Sequence, residues 1–122
     1  MGSILVVDDD TSVRTFLRSL LEVEGYEVRT AQDGTEALRS LREGGIDLVL
    51  LDLIMPDMEG LETLMILKRE QPEIKVIAIS GGCKMTTMDF LPTAIKMGAN
   101  EAFKKPFNNS ELLQAVSSLI NH

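Results

Sequence analysis

Four sets of side chains in this sequence have the chemistry of a charged-ligand site. Three consecutive acids, Asp8, Asp9 and Asp10, follow the apolar run Ile4-Leu5-Val6-Val7. A further acid, Asp52, interrupts the otherwise apolar stretch LVLLDLIM. Ser80 closes VIAIS ahead of Gly81-Gly82, and Lys105 precedes Pro106 in EAFKKPF. A carboxylate set among apolar residues is costly unless something compensates it. If Asp8, Asp9 and Asp52 meet, they repel one another, and a hard divalent cation removes the conflict. Mg2+ prefers oxygen ligands and keeps some waters, so two or three carboxylates plus a substrate phosphate suit it. The Lys105 ammonium is a compact positive charge for an anionic ligand. The Ser80 hydroxyl can donate a hydrogen bond to the same anion.

The elements that must bring these residues together alternate in type. Ile4 to Val7 is a short β-rich run. Val13, Phe16, Leu17, Leu20 and Leu21 then recur at helical spacing, and Gly25 stops that helix. Residues 26–31 alternate as a second strand. Asp33-Gly34 resembles a hairpin turn, but residues 35–43 continue as a helix with Ala37, Leu38 and Leu41 on one face, so Asp33 reads as an N-cap. Gly44-Gly45 ends that helix. Residues 48–51 form a fully apolar strand, 58–70 a helix, and 74–79 a fourth strand. Residues 86–97 are helix-like, with Pro92 kinking the helix or moving its start. A short strand over 101–104 and a helix over 110–120 follow, with Leu112, Leu113, Val116, Leu119 and Ile120 inward.

Strands alternating with helices predict an α/β fold with a parallel sheet covered on both faces. For this length the expectation is a flavodoxin-like (βα)5 three-layer sandwich with strand order 2-1-3-4-5. Ligands then bind beyond the carboxyl ends of the strands, near the switch between strands one and three. Asp8 and Asp9 come directly after strand one, Asp52 ends strand three and emerges at the rim, Ser80 ends strand four, and Lys105 ends strand five. Taken singly, each has an ordinary reading: acids enriched at a helix N-terminus, a turn serine, a surface lysine. Asp10 keeps that reading as a helix cap, with Thr11 as the alternative, and Lys104 reads as a surface lysine. Four independent accidents on one rim are a poor explanation of the set.

The 122 residues fit one domain, spanning 1–122, without room for a DNA-binding module. Net charge is −7, from 12 basic and 19 acidic residues, which argues against direct nucleic-acid binding. No apolar run approaches the ~18 residues of a membrane span, and Asp8 comes too early for a signal peptide. A soluble, cytoplasmic protein is expected. The single cysteine, Cys83, cannot form an internal disulfide and reads as a plain loop thiol.

The motifs ILVVDDD, DLVLLDLIMPDMEG, VIAISGG and GANEAFKKPF occur in this order along the chain. In these motifs and their spacing the chain resembles the CheY-like receiver domains of two-component response regulators, over essentially its whole length. The resemblance implies that Asp52 accepts a phosphoryl group and that Asp8, Asp9, Asp52 and the backbone carbonyl of Ile54 hold Mg2+. It implies that Ser80 is the hydroxyl switch, that Lys105 pairs with the carboxylates and then the phosphoryl oxygens, and that the Lys105-Pro106 bond is cis. Gly81 leaves room for the phosphoryl group, Pro56 and Gly60 shape the turn into the third helix, and Ile54 and Gly82 occupy positions that tune water access. The implied partners are a sensor histidine kinase or phosphotransfer protein, and a downstream protein on the face of the fourth helix, fifth strand and fifth helix. A phosphorylation-dependent homodimer is a further partner it allows. No enzymatic turnover is expected beyond self-phosphorylation and self-dephosphorylation.

One position departs from the family pattern. The aromatic residue usual three positions before the lysine is Ala102 here, while Phe103 should point to the opposite face, into the core. Coupling through Ser80 and its loop is then expected in place of an aromatic rotamer. Met85 and Met88 read as core or loop filler, with an adaptable partner surface as the alternative. Among rival functions, a Mg2+-dependent phosphatase or phosphotransferase with an Asp nucleophile would want two acids as Asp-x-Asp after the first strand and chain for a substrate pocket. A flavin or nucleotide carrier would want glycines and hydroxyls, not three acids, at the first loop. A receiver forming one part of a longer regulator is a third reading, which changes the output but not the site.

Overall fold

Strand side chains alternate between two apolar layers, and this alternation builds the molecule. The computed structural model describes residues 2–53, 59–80 and 91–121. Within them run β1 (Ser3–Val7), α1 (Thr11–Val23), β2 (Glu27–Ala31), α2 (Gly34–Glu43), β3 (Leu48–Asp52), α3 (Glu59–Glu70), β4 (Lys75–Ser80), α4 (Leu91–Lys96), β5 (Glu101–Lys104) and α5 (Asn109–Ile120). The strands are all parallel, in the order β2-β1-β3-β4-β5. This is the flavodoxin-like (βα)5 arrangement expected from the sequence.

Leu5, Val7, Val49, Leu51, Val76 and Ala78 face one layer with Ala37 and Leu41 of α2, Leu64 and Leu67 of α3, and Ala94 of α4. Their neighbours Ile4, Val6, Leu48, Leu50, Ile77 and Ile79 face the other, with Leu17 and Leu21 of α1 and Leu112, Ala115 and Val116 of α5. Both faces of the central strands are therefore dry, which is why those strands read as continuous apolar runs. The same parity sorts β5. Ala102 packs on the α2–α4 side and Phe103 on the α1–α5 side, as the alternation predicts. No helix among the described residues is long and apolar enough to cross a membrane.

Element ends follow their caps. Asp10 Oδ1 accepts from the Ser12 amide at 2.8 Å, so Asp10, not Thr11, is the α1 cap. Asp33 Oδ1 accepts from the Glu36 amide at 2.9 Å, and α2 starts at Gly34, one residue before the expected start. Asn108 Oδ1 accepts from the Glu111 amide at 3.0 Å and moves the start of α5 to Asn109. Tyr26, expected in β2, lies between α1 and β2 and serves the stop of α1. Its amide and that of Gly25 (φ 96°) bond back to the Leu21 and Glu22 carbonyls, closing the helix through a left-handed glycine. Of the expected helix over 86–97, residues 91–96 are α-helical, Pro92 included. Residues 86–90, with Met88, lie outside the described residues, as do Met58, Cys83 and Met85.

Gly60 has a packing reason beyond the turn expected for it. It is the second residue of α3, and a Cβ there would lie 2.5 Å from the Leu53 Cα and also meet the Asp52 carbonyl. The helix thus presses directly on the end of β3. In an ordinary helix, Gly→Ala stabilises by about 1 kcal/mol. Here the sign should reverse, and Gly60→Ala should cost about 1–3 kcal/mol through backbone overpacking, read by urea unfolding. An unchanged or higher midpoint would refute this packing account.

On the outer surface, Arg42 of α2 donates from Nε and Nη2 to the two carboxylate oxygens of Glu70 on α3, at 3.1 and 2.6 Å. The hydrogen bonds from Arg42 hold the Glu70 carboxyl below the usual carboxylate range. A depressed folded-state value means that the contribution is present above the unfolded carboxylate range. It is lost as pH falls through the lower folded value. The stability difference between wild type and Glu70→Gln should therefore be present near neutral pH and shrink to nothing in acid, as followed by unfolding across pH. Both side chains are open to water, so high salt should also reduce it.

Candidate functional site

The register brings the carboxyl ends of β1 and β3 side by side. Val7 pairs with Leu51, so Asp8 and Asp52 follow on adjacent strands. Oxygens of Asp8, Asp9 and Asp52, one from each, lie within 4.8 Å of one another. Asp8 and Asp52 are only 2% and 4% exposed, while Asp9 is open to solvent. The expected rim position of Asp52 is correct, but the residue is not solvated there. β3 is the middle strand, and α3 closes over its end at Gly60.

Lys105 reaches this cluster from the far side of the sheet. Its Nζ donates to Asp8 Oδ2 at 3.0 Å and lies 3.9 Å from Asp52 Oδ2. β5 spans Glu101–Lys104, as expected, and Lys105 follows it. The Lys105 amide nevertheless donates to the Ser80 carbonyl at 2.9 Å, which extends the backbone pairing past the strand. The Lys105-Pro106 bond is cis. Ser80 is the last residue of β4 and is 7% exposed. The sheet thus gathers Asp8, Asp9, Asp52 and Lys105 into one cluster at its carboxyl edge, and Ser80 ends the strand beside them. Ile54, Pro56, Gly81 and Gly82 lie outside the described residues.

The four charged side chains sum to −2, from three carboxylates and one ammonium. An all-oxygen donor set with that residual charge fits a hard divalent cation of the Mg2+ type, which keeps waters in the remaining positions. Lys105 offsets part of the charge of Asp8 and Asp52 from their side of the cluster, and Asp9 stays open to solvent. An anion arriving there meets a charged surface that only a cation of this kind makes attractive.

Asp8 is fixed more firmly than an acid in a loop. Its amide donates to the Ala31 carbonyl at 3.1 Å, and its Oδ1 accepts from the Asp10 amide at 2.9 Å. Its carbonyl accepts from Arg14 Nη1 at 2.6 Å, while Arg14 Nη2 donates to the Thr11 hydroxyl at 3.0 Å. Sequence reasoning missed Arg14. The signal was a cation in the first turn of a helix, where the macrodipole disfavours positive charge by about 0.3–1 kcal/mol.

Comparison with known proteins gives this geometry its family. The family described as the response regulator receiver domain matches residues 4–117. The CAI-1 autoinducer sensor kinase/phosphatase CqsS of Vibrio cholerae is 39% identical over 117 residues, covering 96% of this chain and 17% of that protein. The transcriptional regulatory protein CpxR of Escherichia coli K12 is 34% identical over 120 residues, covering 98% of this chain and 50% of that one. The chain spans half or less of the length of these curated relatives. A crystal structure of a response regulator receiver domain protein from Clostridium thermocellum superposes with a TM-score of 0.89 at 35% identity, covering 99% of this chain and 95% of that one. With its fold, its acidic cluster and these matches, the chain belongs to the receiver domain family of two-component response regulators.

Proposed function

We propose that the chain is the phosphoacceptor of a two-component phosphorelay and takes a phosphoryl group from a histidine kinase or phosphotransfer protein onto Asp52. The observation that carries this reading is the meeting of Asp8, Asp9, Asp52 and Lys105 at the carboxyl edge of the sheet. An Asp52 carboxylate oxygen forms a bond to phosphorus while the bond from phosphorus to the donor atom breaks, and the electron pair leaves with the donor. Asp8, Asp9, Asp52 and the Ile54 carbonyl would hold Mg2+, which supplies charge neutralisation at the phosphoryl oxygens. Lys105 Nζ already lies between Asp8 and Asp52 and can follow the new negative charge. An open apolar groove of Val13, Phe16, Pro106 and Phe107 borders Lys105 and offers a phosphodonor protein a surface beside the acceptor.

The phosphoryl group adds negative charge and acceptor oxygens at the end of β3. Ser80 moves toward them at the end of β4. The face of α4, β5 and α5 then changes its preference for a downstream protein or a second copy of the chain. This requires that phosphorylation favour one of two states of that face. The protein acts in the cytoplasm, with no turnover beyond its own phosphorylation and dephosphorylation.

Incubation with acetyl phosphate and Mg2+ should add one phosphoryl group by intact mass. Asp52→Asn, or removal of Mg2+ by chelation, should abolish the gain. If beryllofluoride also fails to bind, the phosphoacceptor reading is wrong, and steady hydrolysis of small phosphoesters would point to a phosphatase instead. The metal assignment has its own thermodynamic signature. Without divalent cations, Asp9→Asn should be more stable than wild type by about 1 kcal/mol, because one like charge is removed from a partly solvated cluster. Excess Mg2+ should raise the melting temperature of wild type and raise that of the variant far less. Equal shifts in the two proteins would exclude Asp9 as a ligand.

A further inference from the structure

We propose that Arg14 is a positioning residue for the metal-binding acids, acting through the Asp8 carbonyl. This rests on the Mg2+-dependent reading above. The Asp8 carbonyl belongs to the peptide plane that joins Asp8 to Asp9, so a donor locked onto it fixes the direction in which the Asp9 side chain leaves the backbone. Arg14 supplies that donor at 2.6 Å, and its own orientation is set by the second bond to the Thr11 hydroxyl. Asp8 has other anchors, at the Ala31 carbonyl, the Asp10 amide and Lys105. Asp9 makes no side-chain hydrogen bond among the described residues, although it contributes an oxygen to the cluster. Its aim therefore depends on the backbone, and the backbone there depends on Arg14.

The placement of the cation supports this role. Arg14 lies in the first turn of α1, which carries no acidic residue, so the helix dipole works against it. Its guanidinium is aimed at a carbonyl and a hydroxyl, not at a carboxylate. Simple charge repulsion would make Arg14 a hindrance to a divalent ion nearby, whereas positioning makes it a help. The two roles predict opposite signs for its removal. Ligand-orienting partners of metal sites typically change affinity by 10–100-fold when lost.

The test measures the Mg2+ dissociation constant of the unphosphorylated protein by calorimetry and by backbone amide shifts, for wild type, Arg14→Met and Arg14→Lys. Arg14→Met keeps the apolar stem and removes both the donor and the charge. It should bind Mg2+ about tenfold more weakly, with the largest shift changes at Asp8 and Asp9. Arg14→Lys restores a donor and the charge and should recover most of the affinity. The Mg2+ concentration that half-saturates phosphoryl uptake should move by the same factor as the binding constant. Unchanged or tighter Mg2+ binding in Arg14→Met would overturn the proposal and leave Arg14 as a charge that merely tolerates the site. Equal weakening in Arg14→Lys and Arg14→Met would overturn the single-donor account as well. If wild type binds no Mg2+ at all, the functional reading fails first, and that result is visible before any variant is compared.

Discussion

Asp8 and Asp52 are carboxylates withdrawn from water at the ends of neighbouring central strands, and Asp9 adds a third negative charge at their edge. At an effective dielectric of ~20, two like charges at such a separation repel by roughly 3 kcal/mol. Exposure of Asp9 reduces its share of that cost. Lys105 offsets part of the remainder through the 3.0 Å pair with Asp8 and the longer approach to Asp52. The four groups together keep a formal charge of −2. The fold around them must therefore be stable enough to hold an unfavourable cluster together until a ligand of opposite charge relieves it. The two dry layers on either side of the sheet provide that stability.

The parallel topology makes this crowding possible. Every strand ends its run on the same edge, so the acids at the ends of β1 and β3 and a lysine following β5 converge there. An antiparallel sheet would send alternate strand ends to opposite edges. The switch in strand order between β1 and β3 opens the edge exactly where the acids lie. Close packing then sharpens the placement. Gly60 lets α3 approach the last residues of β3, directly against the Asp52 carbonyl and Leu53.

Much of this was legible in the residue types because local and long-range signals agree. The apolar runs marked the strands, the i, i+3 and i+4 spacing marked α1, α2 and α5, and Asp33 declared its own cap. Asp8, Asp9, Asp52 and Lys105 could be assigned to one edge because each directly follows or ends a β-rich run. What the sequence hid depends on distance in space. The burial of Asp52 and the close approach of α3 to the end of β3 are properties of the packed fold, and nothing in LVLLDLIM encodes them. The assignment of Tyr26 failed because its alternation with Val28 looked like strand continuation, while its amide is used by the α1 stop. Arg14 was overlooked because its partner is a backbone carbonyl, which has no letter in a sequence.

The absence of an aromatic side chain at residue 102 changes how a charge at Asp52 would reach the partner face. Ala102 packs against the α2–α4 layer and has no ring to rotate, and Phe103 is committed to the opposite layer. A backbone route is present instead. The Ser80 carbonyl accepts from the Lys105 amide at 2.9 Å, and Ser80 pairs in register with Lys104. Ser80 and Lys105, the two residues proposed to meet the phosphoryl oxygens, are thus linked by a main-chain hydrogen bond. Movement of Ser80 toward a phosphoryl group would pull directly on the residue whose side chain already holds Asp8. Lys105 leads through Pro106 to Phe107, which packs on the α1–α5 layer. A displacement at the end of β4 can therefore reach α5 through covalent and hydrogen-bonded backbone alone. On the proposed reading, the coupling would depend on how firmly Ser80 and Lys105 are held at the common edge.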